Sequence, residues 1–496
     1  MTKIEGEGMK LNGKKTLLIL LAALLLGFFG AYWGVQVGNK NAADEGTNQQ
    51  AAQQSNNDKQ NDADKQPDNM TKIEQAYALI KENFVGNAED KQLVEGAIQG
   101  MLTSLEDPYS TYMDVEAMKE FNEQIESSFE GIGAEVSMVN GKVTIVTPIK
   151  DSPAEKAGLR PNDQVLTVDG KSLEGMDLNE AVNLIRGEKG SEVVLSIQRS
   201  GASKPFDVTL VRDTIPIETV YSEMNTDNGK KTGVIEITNF SEHTAEEFAE
   251  QLEKLEKDGM EGLVLDVRGN PGGLLNSVED ILEHFIPKDV PYIQIEDKNG
   301  QKEKYYTDLK EKKSYPITVL VNEGSASASE ILAVAMKEIG YDIVGTKSFG
   351  KGTVQQPVPM GDGSTIKLTF FKWLSPKGNW INEKGVEPTV KVDQPDYYYA
   401  NPIQIEKPLT FDHTGETIEN VQQMLTGLGY KPGRTDGYFD KQTENAVKAF
   451  QKENELKQTG EVDEKTAGLM ETRIIERIRS GEDDEQLVKA VEALYN

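Results

Sequence analysis

Two short stretches of this chain could carry acyl-transfer chemistry. Ser327 sits in the run GSASASE, directly after an apolar strand-like stretch at 317–322 and at the start of an apolar helix at 328–339. A strand–turn–helix junction exposes a hydroxyl and aims the helix N-terminus at any anion that forms there. Further on, Lys351 stands between Gly350 and Gly352 in FGKGTVQ, so it can approach another backbone closely. An acylating serine needs a base within hydrogen-bond reach. Histidine is the common choice, but His243 and His413 fall in polar loops and His284 falls late in a helix. A lysine taken out of water can serve instead, because burial favours the neutral amine. The oxyanion needs two preorganised donors. One would be the N–H of Ala328. The other would come from the glycine turn that ends GLVLDVRGNPGG, at Gly272 or Gly273. That turn also lies between a strand and a helix, so two helix starts could flank one cleft at the carboxyl ends of a sheet.

The elements around these residues support such a sheet. Over residues 214–400, the strands GVIEI, GLVLDVR, ITVLVN and YDIVG alternate with helices predicted at 245–257, 275–285 and 327–339. Strand-rich segments at 291–307, with a turn at 297–300, and at 364–373 decorate it. Upstream, residues 71–128 carry apolar side chains at helical spacing: Ile73, Ala76, Tyr77 and Ile80, then Leu93, Ala97, Met101 and Leu102. Another helix is predicted at 115–125. Residues 129–213 hold strands at 142–146, 164–168 and 192–198 and short helices at 153–157 and 178–186, which suits a small capped barrel. Downstream, residues 411–472 read as a helical unit with an internal echo. Gly437-x-x-Asp440-x-x-Thr443 recurs as Gly460-x-x-Asp463-x-x-Thr466, each aspartate placed to cap a helix. Residues 473–496 are expected to form an acidic helix.

The N-terminus points to the compartment. Residues 16–37 are uncharged and about as long as a membrane-crossing helix needs to be. Lys10, Lys14 and Lys15 precede them, and Tyr32 and Trp33 sit near the far end. This predicts a cytoplasmic tail at 1–15, a single-pass anchor at 16–37 in the cell membrane, and a catalytic domain outside the cytoplasm. A cleaved signal peptide is the alternative. Residues 38–70, rich in Asn, Gln, Asp and Ala, read as a disordered linker. The chain has 496 residues, too many for one core. Its net charge of −30 argues against nucleic-acid binding. With no cysteine there are no disulfides, thiolate metal sites or cysteine nucleophiles. No metal or other cofactor is expected.

The ordered set DVRGNPGGLL, NEGSASASE and SFGKGTVQQ resembles the carboxyl-terminal processing, or tail-specific, serine proteases, and GMLTSLEDPYSTYM in the helical arm matches as well. The resemblance covers residues 71 to about 393. It implies Ser327 as nucleophile, Lys351 as base and Gln355 as the residue that positions the lysine amine. The segment between serine and lysine is a residue shorter than in some members, which leaves Ser325 and Ser329 as rival nucleophiles. Within 129–213, FEGIGAEV, SPAEKAGLRPNDQVLTVDG and LNEAVNLIRGEKGSEVVLSIQR resemble a bacterial PDZ domain, which clasps C-terminal peptide tails. The backbone N–H groups of Gly131, Ile132 and Gly133 could hold the carboxylate, with the peptide added along a strand edge. Leu178, Val182 and Ile185 share a helix face and either line the groove or belong to the core. Residues 411–472 resemble the peptidoglycan-binding repeat domain of cell-wall enzymes.

The expected architecture is therefore multidomain, combining α+β and α/β parts: an N-terminal transmembrane helix, a helical arm, a PDZ-like barrel, an α/β protease core and a small helical C-terminal domain. The expected partners are protein substrates with exposed C-termini, the membrane, peptidoglycan and a second copy of the chain. An inactive, wall-tethered PDZ scaffold is the alternative function, and a peptidoglycan hydrolase is a third. Arg186 ends the helix at 178–186, before Gly187. It either serves the helix dipole or regulates the enzyme by sensing a docked tail. Other patterns lead nowhere. Gly345 to Lys351 lacks the hydroxyl a phosphate loop needs. Ser364-x-x-Lys367 imitates a serine-enzyme motif but lies in an alternating strand, so Lys367 is expected to be solvated.

Overall fold

Runs such as GLVLD and ITVLV are apolar at nearly every position, which suits strands covered on both faces. The computed structural model describes residues 69–496 apart from 140, 227–228 and 406. In it Gly262–Asp266 and Ile317–Val321 are buried throughout. The expected anchor at 16–37, the tail before it and the linker up to 68 lie outside the described residues. Among the described residues no helix is long and apolar enough to cross a membrane. Two compact units divide the chain. One holds the residues up to Glu120, Phe129–Ile215 and Gln355–Thr369, and the other holds Phe121–Ser128, Pro216–Val354 and Phe370–Asn496.

The second unit is built on a six-stranded sheet. Its strand order is Val220–Asn225, Thr232–Ile237, Gly262–Asp266, Ile317–Val321, Asp342–Gly345 and Val390–Lys391. Only the first pairing is antiparallel. The two-residue alternation of a strand divides its side chains between two cores. Ile235, Leu263, Leu265, Val319 and Ile343 face the helices Thr244–Lys257, Leu275–Leu282 and Ala328–Glu338. Val234, Val264, Leu320 and Val344 face the other way, onto Ala490, Val491 and Leu494. Those three belong to the helix Glu485–Leu494.

The acidic helix expected over 473–496 is thus corrected. Its first part continues the helix Glu464–Ser480, which ends at Gly481 in a left-handed conformation. Its second part is the cover of the sheet's second face. Charge is the conspicuous feature of this segment in sequence, yet Ala490, Val491 and Leu494 form one apolar stripe.

Between the last strand and that helix sits the small helical domain, with helices Glu416–Gly427, Lys441–Glu453 and Glu464–Ser480. Asp440 accepts from the N–H of Thr443 at 2.9 Å, and Asp463 from that of Thr466 at 2.8 Å, as the repeat implied. The repeat goes deeper than the sequence motif. Gln422 accepts from Gly437 N–H (3.0 Å) and donates to Tyr438 carbonyl and Thr443 Oγ1. Gln451 does the same with Gly460 (2.9 Å), Glu461 and Thr466. Each glutamine is buried with its amide satisfied, so each half fixes its own turn.

In the first unit, five antiparallel strands follow the order Ala134–Val139, Lys142–Pro148, Gln164–Val168, Glu192–Gln198 and Phe206–Val211. Asp177 and Glu180 form a capping box on the helix Leu178–Ile185. The far end of that helix differs from expectation. Arg186 adopts an extended conformation, and its guanidinium lies 4.9 Å from the centre of the Phe129 ring. The cation at the helix C-terminus is the buried Arg212, which donates to the carbonyls of Leu184 (3.1 Å) and Ile185 (2.8 Å). Arg212 was invisible in sequence because it lies 27 residues beyond Ile185.

The helical arm contributes Asn69–Asn83, with no buried residue, and Asp90–Thr103, which buries only Leu102. Its first helix already includes Asn69, the first described residue. Thr111–Met113 pairs with Thr365–Lys367. There Lys367 departs from its expected solvation: it is half-buried, and burial pulls its amine below the ordinary lysine value. Ser364 donates to Asp362 Oδ1 at 2.6 Å.

Arg212→Met should leave the last helical carbonyls unsatisfied, at a cost of about 2 kcal/mol. Hydrogen exchange on the full chain should then show roughly 30-fold lower protection of the Leu178–Ile185 amides. Arg186→Ala should change protection far less. Equal effects would mean that Arg212 does not hold the helix end.

Candidate active site

Ser327 leaves the strand Ile317–Val321 through a tight turn and enters the helix Ala328–Glu338 with φ 55° and ψ −112°. A positive φ at a serine costs of the order of 1–3 kcal/mol and persists only where neighbours impose it. The neighbours are visible. Ser325 is buried and donates its hydroxyl to Val267 carbonyl at 2.7 Å. Ser329 is buried and donates to Asn270 carbonyl at 2.9 Å. Ala326 N–H donates to the same carbonyl at 3.0 Å. Both rival serines are therefore pins of the turn, whereas Ser327 is half-exposed.

Glu330, which no sequence expectation marked, joins the two segments. Its side chain is fully buried at the third helical position. Oε2 accepts from the N–H of Ser327 (2.9 Å) and of Lys351 (2.8 Å). Oε1 accepts from Gly350 N–H (2.6 Å) and Ser348 Oγ (2.6 Å). Ser348 Oγ itself accepts from Val386 N–H at 2.6 Å, which directs its proton to Glu330. Burial pushes the Glu330 carboxyl up, while the four donors favour the anion. Both oxygens are occupied by donors, so the geometry calls for the carboxylate. One buried oxygen thereby holds the serine turn and the lysine loop together. The signal was present as a serine followed three residues later by glutamate, a capping-box pattern.

Lys351 is half-buried. Its carbonyl accepts from Trp373 Nε1 at 2.9 Å, and the next carbonyl, of Gly352, accepts from Trp380 Nε1 at 2.8 Å. A side chain at Gly352 would come within 2.8 Å of Asn382 N, so the glycine permits the close approach that its place beside the lysine implied. Gln355 lies on Thr353–Pro359, in the other compact unit, and donates to Thr369 Oγ1 at 3.0 Å.

The glycine turn meets the serine turn. A Cβ on Gly272 would lie 2.7 Å from Ala326 carbonyl oxygen and 2.9 Å from Ala328 N, so only glycine fits. Ala328 opens its helix, and the first N–H groups of a helix have no partner within it. Gly272 N–H, however, donates to Asn270 Oδ1 at 2.8 Å. That corrects the expectation that Gly272 could serve as an oxyanion donor: its amide is already used. Gly272 carbonyl and Leu274 N–H bond to Phe240, which turns the Gly273 N–H to the opposite edge.

At the base of this turn Arg268 binds Asp266, with Nη2 2.6 Å from Oδ2. It also binds Asp484 through Nη1 (2.8 Å) and Nη2 (2.7 Å). Burial works against the Asp484 carboxylate, but the Arg268 guanidinium more than offsets it and holds the carboxyl below its ordinary range.

The three histidines are occupied elsewhere. His284 packs 5.9 Å from the Phe248 ring, and burial, then Lys313, pulls its pKa down. His413 meets Thr410, and the carbonyl of His243 accepts in the first turn of its helix.

In the PDZ-like domain, Gly131, Ile132 and Gly133 join the strands Ser128–Gly131 and Ala134–Val139, and the Ile132 side chain is core. Leu178 and Val182 are half-exposed and remain groove candidates. Ile185 is corrected to core, packed in the cluster with Val193 and Leu195.

Four family models match stretches of the chain. Residues 231–392 match peptidase family S41, and residues 24–117 match the activating protease CtpB N-terminal domain. Residues 144–199 match a PDZ domain, and 414–470 a putative peptidoglycan binding domain. The chain is 50% identical to the carboxy-terminal processing protease CtpB of Bacillus subtilis (strain 168), over 98% of this chain and 100% of that protein. It is 45% identical to CtpA of the same organism, over 85% of this chain and 90% of the relative. A photosystem II D1 C-terminal processing protease structure aligns at 29% identity and a TM-score of 0.40, over 66% of this chain and 87% of that one. The chain belongs to the carboxy-terminal processing proteases of peptidase family S41.

Proposed function

We propose that Ser327 and Lys351 cleave extracytoplasmic proteins near their C-termini through an acyl-enzyme. Ser327 Oγ attacks the scissile carbonyl while Lys351 takes its proton. That proton passes to the leaving amine as the C–N bond breaks. Water then attacks the ester, gives a proton to Lys351, and Ser327 is released with it. Gln355 orients the lysine amine. The N–H groups of Ala328 and Gly273 receive the oxyanion, with Gly272 as the close-packed wall between them. The single observation that carries this reading is the Glu330 oxygen shared by the backbones of Ser327 and Lys351.

The PDZ domain engages the substrate tail, with Gly131, Ile132 and Gly133 at the carboxylate and Leu178 and Val182 along the groove. Arg186, stacked on Phe129 at the end of the groove helix, reports that docking to the catalytic domain. Residues 16–37 anchor the chain in the cell membrane with the protease outside. The C-terminal repeat domain holds cell wall. The helical arm, whose Ile73, Leu79 and Ile80 are exposed, packs against a second copy.

Cleavage of casein by the full chain should vanish in Ser327→Ala and in Lys351→Ala, since residues that act as a unit fail together. Ser325→Ala should lose stability before it loses chemistry. Wild-type rate should rise with pH, because the amine must be neutral to accept a proton and a free lysine titrates near 10.4. Arg186→Ala should cut turnover of long substrates without loss of thermal stability. A Ser327→Ala enzyme that still cleaves, or a rate flat with pH, would defeat the mechanism. Unchanged turnover in Arg186→Ala would remove only the sensing role.

Location has its own test. Protease added outside intact wall-stripped cells should digest the catalytic domain, and the chain should sediment with membranes. A chain protected from external protease would contradict the proposed orientation.

A further inference from the structure

Arg268 draws together segments from opposite ends of the catalytic fold. Its five N–H groups are all used. Nε and Nη2 bind Asp266 at 3.0 and 2.6 Å. Nη1 binds Asp484 Oδ1 at 2.8 Å and Gln486 Oε1 at 3.2 Å, and Nη2 binds Asp484 Oδ2 at 2.7 Å. Side-chain exposure of Arg268 and Asp484 is 16% and 12%, so the pair is shielded from water and little screened. Asp266 is a local partner, two residues away. Asp484 is 216 residues away, beyond the whole C-terminal repeat domain.

Asp484 is itself held from two sides. It accepts from Gln394 Nε2 at 2.7 Å and caps the sheet-covering helix through Leu487 N–H at 2.9 Å. The neighbouring Asp483 accepts from Tyr397 OH (2.8 Å) and Arg477 Nε (2.7 Å). The entry and exit of the repeat domain therefore both close on this aspartate pair. On the other side of Arg268, the backbone runs straight into the glycine turn. Gly269 N–H binds Asn322 Oδ1 at 2.7 Å, and Asn270 carbonyl receives Ala326 and Ser329 of the serine turn.

We propose that Asp484 is a positioning residue for proteolysis, acting through Arg268 on the oxyanion turn. The catalytic domain is thus completed by the segment after the repeat domain. The proposal rests on the reading of Ser327 and Gly273 given above. A bidentate carboxylate on a guanidinium fixes its plane as well as its position. Without Asp484, two of the five N–H groups would have no partner and only Gln486 would hold the far side of the fork, so the arginine could swing with the turn that follows it. The turn must hold its N–H to a fraction of an ångström, since it acts where charge develops.

The test is kinetic, on the full-length enzyme with a peptide substrate and a peptidyl boronate that forms a tetrahedral adduct on the serine. Asp484→Asn should lower kcat by about 10- to 100-fold, the range an imperfectly placed group produces. KM should stay within about twofold, and boronate affinity should fall in step with kcat. Asp484→Glu, which keeps the charge, should recover part of the loss. Asp484→Ser, which keeps a helix cap without the carboxylate, reads the same loss should the asparagine variant fail to fold. Leu494→Ala is the stability control. It sits about 15 Å further along the helix, by its rise per residue, and should lower Tm while kcat holds. Wild-type kcat in Asp484→Asn, or in Asp484→Ser if only that folds, would overturn the proposal. So would a kcat loss in Leu494→Ala matching that of Asp484→Asn. An active Ser327→Ala enzyme would instead overturn the serine reading on which it rests.

Discussion

A buried carboxylate with four donors and no room for a proton is the constraint on which the site depends. Glu330 gives one oxygen to the serine turn and the lysine loop jointly, and the other to the loop alone. The side chain is 0% exposed, so its charge is costly unless every lone pair is used. That cost makes the arrangement all-or-none: loosening either loop leaves a desolvated anion short of donors. The positive φ of Ser327 can be sustained because its own N–H, the pins Ser325 and Ser329 and the wall of Gly272 all hold the same turn.

The sheet beneath transmits this order. The serine and glycine turns leave adjacent parallel strands at their carboxyl ends, where helix starts converge. Crossover helices cover one face, and the other face is closed by a helix that the chain supplies only after the whole repeat domain. The repeat domain is thus an excursion between the last strand and the last helix of the catalytic fold. Its two connections meet at Asp483 and Asp484, and Asp484 binds Arg268.

Much of this was legible in the sequence because it was local. Small flanking residues marked the serine turn and the lysine loop, whose backbones do meet on one carboxylate, and the strands 164–168 and 192–198 showed in their alternation. The capping aspartates Asp440 and Asp463 lay at fixed offsets from the helices they serve. What failed was long-range. Arg212 replaces Arg186 as the helix-end cation, from a strand end far along the chain. Gly272 looked equivalent to Gly273 until Asn270 was seen to take its amide. Ile185 and Val182 share a helical face, and only packing against Val193 and Leu195 sorts core from groove. Lys367 alternates like a surface residue, yet is half-buried. The final helix carried its apolar stripe in plain view, but charge dominated the segment.

The most direct measurement is turnover by the Glu330→Gln enzyme. Glutamine keeps the shape but turns one acceptor into a donor, so at least one of the two loops must face an amide with its own N–H. The account expects kcat to fall on the order of 100-fold with KM little changed, the signature of displaced catalytic groups in an intact binding site. A Glu330→Gln enzyme with the kcat of the wild type would contradict it.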